Sequence, residues 1–357
     1  MMGYETVNAV WGTTTNPFRA DRTPGGSTGG EGALIGGGGS HIGIGGDVGG
    51  SIRIPASFCG IAGFKPTGQR LSLRPYGRSL PGRPFVWLTD GPMGSTFEAS
   101  VDVLKLAWDS SRVHDRDPSI PPVPWRESLF SPSRPYTIGL LPTAFHYPPS
   151  SGVLRVLDEA SSLLSSSGHR VVPFVPPDMS SLPHVMWAMR SIDGGRGAAR
   201  WLDTELVPEE YAGEHEFLGL PIEERLEIGA RHLTEGEKGL ASRYTATITT
   251  PDGSQLTPAL KLGTPLAIGR EPIIFTSMFN FFDFAAGSVP MGHWTATDSD
   301  ANESYSEFDS VARTLKDECR DAIGLPLSVQ IAAPPFRDEL ALRLLLNIEK
   351  ATKAKAQ

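Results

Sequence analysis

Along this 357-residue chain, apolar residues gather into a few short runs separated by long stretches rich in glycine, proline and polar residues, and the spacing within each run predicts its element. Thr96 to Ser110 has helical spacing. TIGLL (Thr137 to Leu141) predicts a short strand, and Val153, Val156, Leu157, Ala160 and Leu164 mark one face of a helix that ends near Gly168. HRVVPFV then reads as a second strand, so strand, helix and strand follow at a spacing that argues an α/β architecture with at least some parallel pairing. LSVQIAA (Leu327 to Ala333) predicts a buried strand, and Arg337 to Thr352 a closing helix with Leu340, Leu344 and Ile348 on one face. The tail ATKAKAQ is expected to fray. Pro66 to Pro84 reads as loop and Asp115 to Pro135 as a proline-rich surface crossing. Ser181 to Tyr244 is helical in pattern but acidic, with Glu205, Glu209, Glu210, Glu214, Glu216, Glu223, Glu224 and Glu227 close together, which describes a solvated helical face. No internal repeat is found.

Length exceeds the usual size of one domain, yet large α/β enzymes run this long as a single unit. The formal net charge is −8 without a clustered basic stripe, which excludes an electrostatic footprint for nucleic acid or anionic membrane. Cys59 and Cys319 are too few for a disulfide framework and are not spaced as a metal site, so neither metal nor cofactor is expected and the compartment is read as cytoplasmic. The opening residues lack a basic n-region and an apolar h-region, and no run approaches a spanning length. Trp201 to Tyr244, with its acidic residues, is a poor interfacial helix, so no membrane insertion is expected.

Chemistry concentrates between Gly25 and Pro55, in GGSTGGEGALIGGGGSHIGIGGDVGGSIRIP. Four consecutive glycines within Ala33 to Ile44 suit close backbone approach and demand burial by neighbours. A phosphate loop fails here, because neither G-x-G-x-x-G nor G-x-x-x-x-G-K occurs in this stretch. Gly25 to Gly29 formally matches the G-x-S-x-G elbow, but polar loop precedes it where an apolar strand is required. The third reading uses two serines: Asp47-Val48-Gly49-Gly50-Ser51 sets consecutive N–H groups before a hydroxyl, as an oxyanion hole beside its own nucleophile requires. Ser51 then needs a proton relay, which Ser27 supplies if the chain folds back, while Ser40 reads as a turn residue.

The run TPGGSTGGEGALIGGGGSHIGIGGDVGGSIRIPASFCGIAGFKPTG resembles the signature region of the amidase signature family, and is similar to that of animal fatty-acid amide hydrolases and fungal amidases. DPSIPPVPWRE, NFFDFAAGSVP and IGLPLSVQIAAPPFRDELALRLL resemble later segments of the family, so the likeness covers nearly the whole chain and is weakest from about Asp203 to Pro265. The resemblance implies a central mixed twisted sheet surrounded by helices. It implies one incomplete domain over 1–357, with a signature core at 20–70, a variable helical region at about 181–267 and a C-terminal core at 271–352. It also implies Ser51 as nucleophile, Ser27 as bridging serine after a cis bond from Gly26, and the N–H groups of Val48, Gly49, Gly50 and Ser51 as the oxyanion hole. Thr28 would keep a hydroxyl beside the relay, and Asp47 and Arg53 would hold the glycine turn.

The family's base is a lysine tens of residues upstream of the bridging serine, and this chain has no lysine before Lys65. An N-terminally shortened member with impaired activity is therefore expected. Lys65, in GFKPT, reads as scaffold, and His41 as a packed or solvent-facing histidine. The leading expectation is an amidase acting on carboxylic amides through an acyl-enzyme, with a small-molecule amide as partner and room for a homodimer. A glutamine-hydrolysing amidotransferase subunit and a non-catalytic homologue binding an acyl amide or a partner protein are the alternatives.

Overall fold

The computed structural model describes residues 5–74, 86–131, 135–141, 147–174, 250–252, 259–262 and 274–356. The acidic segment Ser181 to Tyr244 and most of the variable region at 181–267 lie outside the described residues, as does the stretch 75–85 of the expected Pro66 to Pro84 loop. A small antiparallel hairpin, β1 (Val7–Asn8) and β2 (Gly12–Thr13), opens the chain.

Among the described residues the central sheet has six strands, in the order β3 (Ile42–Asp47), β5 (Thr89–Gly94), β4 (Ala62–Lys65), β9 (Ala285–His293), β10 (Pro326–Ala333) and β8 (Thr250–Asp252). Every pairing in it is antiparallel. The expected parallel pairing is found elsewhere, in a separate pair formed by β6 (Thr137–Leu140) and β7 (Arg170–Pro173). Between them runs α6 (Ser151–Ser166), which buries Val153, Val156, Leu157, Ala160 and Leu164 as its spacing requires. The mixed character of the fold is thus divided between two sheets, because the long β-to-β connection through α6 serves only the small one.

Directly opposed residues of neighbouring strands share a sheet face. Gly63 faces both Met93 and Ser288, Asp47 faces Thr89, Lys65 faces Ala286, and Gln330 faces Ser288. This face packs under α2 (Arg53–Phe58), where a Cβ on Gly63 would strike the Ala56 side chain, and under α7 (Ile274–Phe281). Phe64, Val289, Val329 and Ile331 point the other way, into the main apolar core with α6, α3 (Phe97–Trp108) and the closing helix α10 (Asp338–Ala356). Leu340, Leu344 and Ile348 of α10 are all buried, each contributing about 1.5–3 kcal/mol of apolar transfer.

The expectation of a frayed tail is corrected: α10 continues to Ala356. Residues 351–356 are alanine, threonine and lysine with no glycine or proline to stop the helix, and Lys353 and Lys355 complement the dipole of its last turn. Glycine-rich α1 (Gly29–Gly36) holds its helix through close packing, since a Cβ on Gly32 or Gly36 would press on Pro55 or Cys59 of the α2 region. The described residues also form shorter helices: α4 (Ser111–Arg116), α5 (Glu127–Phe130), α8 (Ala296–Asn302) and α9 (Ser310–Glu318).

Helix α3 offers a test of this layering. Its N-terminus is capped by Thr96, whose hydroxyl accepts from Ala99 N–H at 3.3 Å. Leu104 is fully buried against the core, whereas Leu106 is 76% exposed. In urea denaturation, Leu104→Ala is expected to cost about 2–5 kcal/mol. Leu106→Ala should stay within about 0.5 kcal/mol of the parent, and equal losses at the two positions would contradict the assigned face.

Candidate active site

The glycine turn that ends β3 is built around one buried carboxylate. Asp47 Oδ1 accepts from Gly50 N–H at 2.8 Å, and Oδ2 accepts from Ile52 N–H at 3.2 Å. A reversal of direction over so few residues needs a residue free of Cβ: Gly50 has φ +125°, and a side chain there would collide with the Thr276 hydroxyl. Ile54 N–H then reaches back to Gly50 O at 2.7 Å and starts α2.

Arg53, the first residue of α2, closes the arrangement from the other side. Its Nε donates to Asp47 Oδ2 at 3.0 Å and its Nη2 to Asp47 Oδ1 at 2.9 Å, a two-point contact between side chains with no solvent exposure. The remaining guanidinium hydrogens go to Thr276 O (2.9 Å), Gln330 Oε1 (2.7 Å) and Asn280 Oδ1 (2.7 Å). Asn280 also donates to Asp47 Oδ1 at 2.8 Å, and Thr276 donates its hydroxyl hydrogen to Gly49 O at 2.6 Å. Burial alone would raise the Asp47 carboxyl, but the Arg53 guanidinium, with Lys65 and Asn280, outweighs it and holds the group down at about 2.

Ser27 is brought to this turn by the backbone. The Gly26–Ser27 peptide is cis, matching the bond implied by the resemblance. Gly25, at φ +81°, lies so close to α2 that a Cβ would sit 3.0 Å from Pro55 Cα. Thr28 N–H donates to Ser51 O at 3.2 Å, and the Thr28 hydroxyl donates to Gly46 O at 3.3 Å. Ser27 and Ser51 are therefore joined through their neighbours, and both are partly exposed. Among the described residues neither hydroxyl has a hydrogen-bond partner, and the N–H groups of Val48, Gly49 and Ser51 meet no protein acceptor. Gly50 N–H differs from the other three amides named from the sequence, because Asp47 already engages it.

The other expected residues fall away from the turn or beneath it. His41 is exposed at the opposite end of β3 from Asp47, about 20 Å away at the rise of an extended strand. Ser40 is a turn residue whose hydroxyl donates to Ile42 O at 2.9 Å. Lys65 is buried at the end of β4 and donates from Nζ to Pro66 O at 2.9 Å. Thr276, Asn280 and Gln330 hold the turn without having been singled out from the sequence; they are distant in the chain, Asn280 and Gln330 fall in segments that resemble the family, and Thr276 falls outside them. Among the described residues no cluster of His, Cys, Asp or Glu is suited to a metal ion, and no helix is long and apolar enough to cross a membrane. Burial raises the thiols of Cys59 and Cys319 to about 12, which leaves them poor nucleophiles.

Known proteins share both sequence and fold with this chain. A family model described as Amidase matches residues 1–342. The chain is 33% identical to fatty acid amide hydrolase 1 of Caenorhabditis elegans, over 99% of its own length and 67% of the relative's. It is 32% identical to fatty-acid amide hydrolase 1 of Sus scrofa, over 98% of its length and 66% of the relative's. A solved fatty acid amide hydrolase superposes with a TM-score of 0.75 at 23% identity, covering 98% of this chain and 63% of that one. The chain thus spans about two thirds of the length of the relatives it matches. A match over residues 1–342, on a fold whose glycine turn carries Ser51 and is joined through Thr28 to the segment of Ser27, places the chain in the amidase signature family.

Proposed function

We propose that this chain carries the core of an amidase that hydrolyses carboxylic amides through an acyl-enzyme formed on Ser51. The observation that carries the reading is the turn itself, where among the described residues the amides of Val48, Gly49 and Ser51 meet no protein acceptor beside a partly exposed serine hydroxyl. In this reading Ser51 Oγ attacks the carbonyl carbon, and the free amides receive the oxygen as it becomes anionic. The Ser51 proton passes to Ser27 as Ser27 delivers its own proton to the departing amine nitrogen. Water then attacks the ester, with the relay run in reverse, and releases the acid.

Lys65 does not serve as the base in this scheme, because its buried amine is turned to Pro66 O within the scaffold. Residues 1–64 contain no lysine, so in this reading residues 1–357 by themselves supply no base for Ser27 and turn over slowly. The 33% and 32% identities to fatty-acid amide hydrolases support an acyl amide as the substrate class.

A fluorophosphonate probe should label Ser51 alone, slowly, and Ser51→Ala should abolish labelling in peptide mapping by mass spectrometry. Labelling of Ser51→Ala at the parent rate would reject the nucleophile. Arg53→Lys keeps the charge but cannot reproduce the two-point contact or the bonds to Gln330 and Asn280. It is expected to destabilise the fold by about 3–5 kcal/mol in chemical denaturation and to slow labelling with it.

Asp47 also sets an acid limit. Its carboxyl is held below the unfolded value, so the stability it provides is complete above about pH 4 and disappears as pH falls through about 2. That contribution is about 2 kcal/mol by linkage. Denaturation curves collected between these limits should show the parent losing this amount relative to Asp47→Asn; parallel losses would contradict it.

A further inference from the structure

Lys65 is a fully buried lysine that the acyl-enzyme scheme leaves unused. It lies on the same sheet face as Asp47 and Gln330, in the layer beneath α2 that also holds Arg53. Strands β3 and β4 run in the same direction on either side of β5, so Lys65 and Asp47 both stand at the edge of the sheet where the serine turn begins. Among the described residues its three hydrogens meet one acceptor, Pro66 O. A buried ammonium with so few hydrogen bonds depends on the charges around it. From the α7–β9 loop Asp283 faces it, from β3 Asp47, from the start of α10 Asp338, and from α2 the opposing Arg53. The adjacent positions on β5 and β9 are Thr89, Gly91, Ala286 and Ser288, all uncharged.

We propose that Lys65 is a positioning residue for the candidate site, its buried ammonium supplying positive potential beneath Asp47 and the three free amides of the serine turn. It acts as a charge: it attracts the Asp47 carboxylate, which fixes Gly50 and Ile52 and stays ionised beside Arg53 throughout, and it adds positive potential at the turn that is lost when the amine is neutral. The charge is also conditional. Burial lowers the Lys65 amine to about 8, with Asp283 the leading influence in the opposite direction, so it is charged at neutral pH and loses that charge in mild alkali. This inference rests on the acyl-enzyme reading, and it adds a control by proton occupancy at a residue that touches no substrate.

Asp283→Asn is the discriminating variant. Asp283 sits at φ 54°, which asparagine tolerates, and its Oδ1 accepts from Gly68 N–H at 2.7 Å, a bond the amide oxygen retains. With the full chain, the rate of fluorophosphonate labelling at Ser51 is measured across pH for the parent, Asp283→Asn and Lys65→Met. The parent profile should bend near pH 8. Asp283→Asn should move the bend about one unit lower, and Lys65→Met should remove it and label about tenfold more slowly at neutral pH. A bend that stays in place in Asp283→Asn, or that survives in Lys65→Met, overturns the proposal. Amide hydrogen exchange of the 47–52 segment gives a readout independent of nucleophilicity. Faster exchange there in Lys65→Met, with α10 unchanged, supports the positioning role even if Ser51 proves not to be the nucleophile; unchanged exchange overturns it. Failure of the parent to label at Ser51 would reject the acyl-enzyme reading alone.

Discussion

The buried contact between Asp47 and Arg53 is the constraint on which the rest of the site depends. Neither group has a route to water, so each is tolerable only while the other is in place and every remaining donor and acceptor is satisfied. The structure meets that condition through the Gly50 and Ile52 amides, Asn280, Gln330 and the Thr276 carbonyl. Replacing such a pair by apolar residues often costs little stability in proteins generally. What an apolar pair could not do is dictate the path of five backbone residues, and that path is what leaves three amides and a hydroxyl facing outward.

A second buried network stands beside the first. Asp338, at the start of α10, accepts from Thr67 N–H at 2.7 Å and Thr67 Oγ1 at 2.8 Å, and pairs with Arg70 at 3.1 Å. Arg70 also pairs with Glu339 and lies 3.4 Å over the Trp108 ring, while Arg126 reaches Glu339 and the Phe336 carbonyl. This network secures the chain leaving β4 to helices on the far face of the sheet. The two networks approach one another at Lys65, so the polar layer extends from the serine turn toward α10.

Periodicity exposed what depends on apolar spacing. Helices α3, α6 and α10 and strand β10 were legible because their buried faces repeat within a single run. The glycine turn was legible for a different reason: Asp47, Gly49, Gly50, Ser51 and Arg53 are contiguous and their chemistry is local. Asn280, Thr276 and Gln330 were not legible, because a single buried polar residue carries no periodic signal and its partner lies more than 200 positions away. The engagement of Gly50 N–H by Asp47 was hidden as well, since four consecutive amides look equivalent until the backbone direction is fixed. The end of α10 was misread from its place at the terminus, though its residues favour helix.

The sequence separations of the Arg53 bonds have a consequence for the nascent chain. Arg53 reaches Thr276, Asn280 and Gln330 across 223, 227 and 277 residues. Contacts closed over such distances carry a loop-closure cost that local structure cannot offset, so they form late. During synthesis the signature segment emerges first, while the three residues that brace its turn are still to be translated. A folding intermediate lacking α7 and β10 therefore displays both serines without the braced turn. Under the proposed acyl-enzyme reading, reactivity at Ser51 becomes a property of the completed fold, and a half-made chain is chemically quiet.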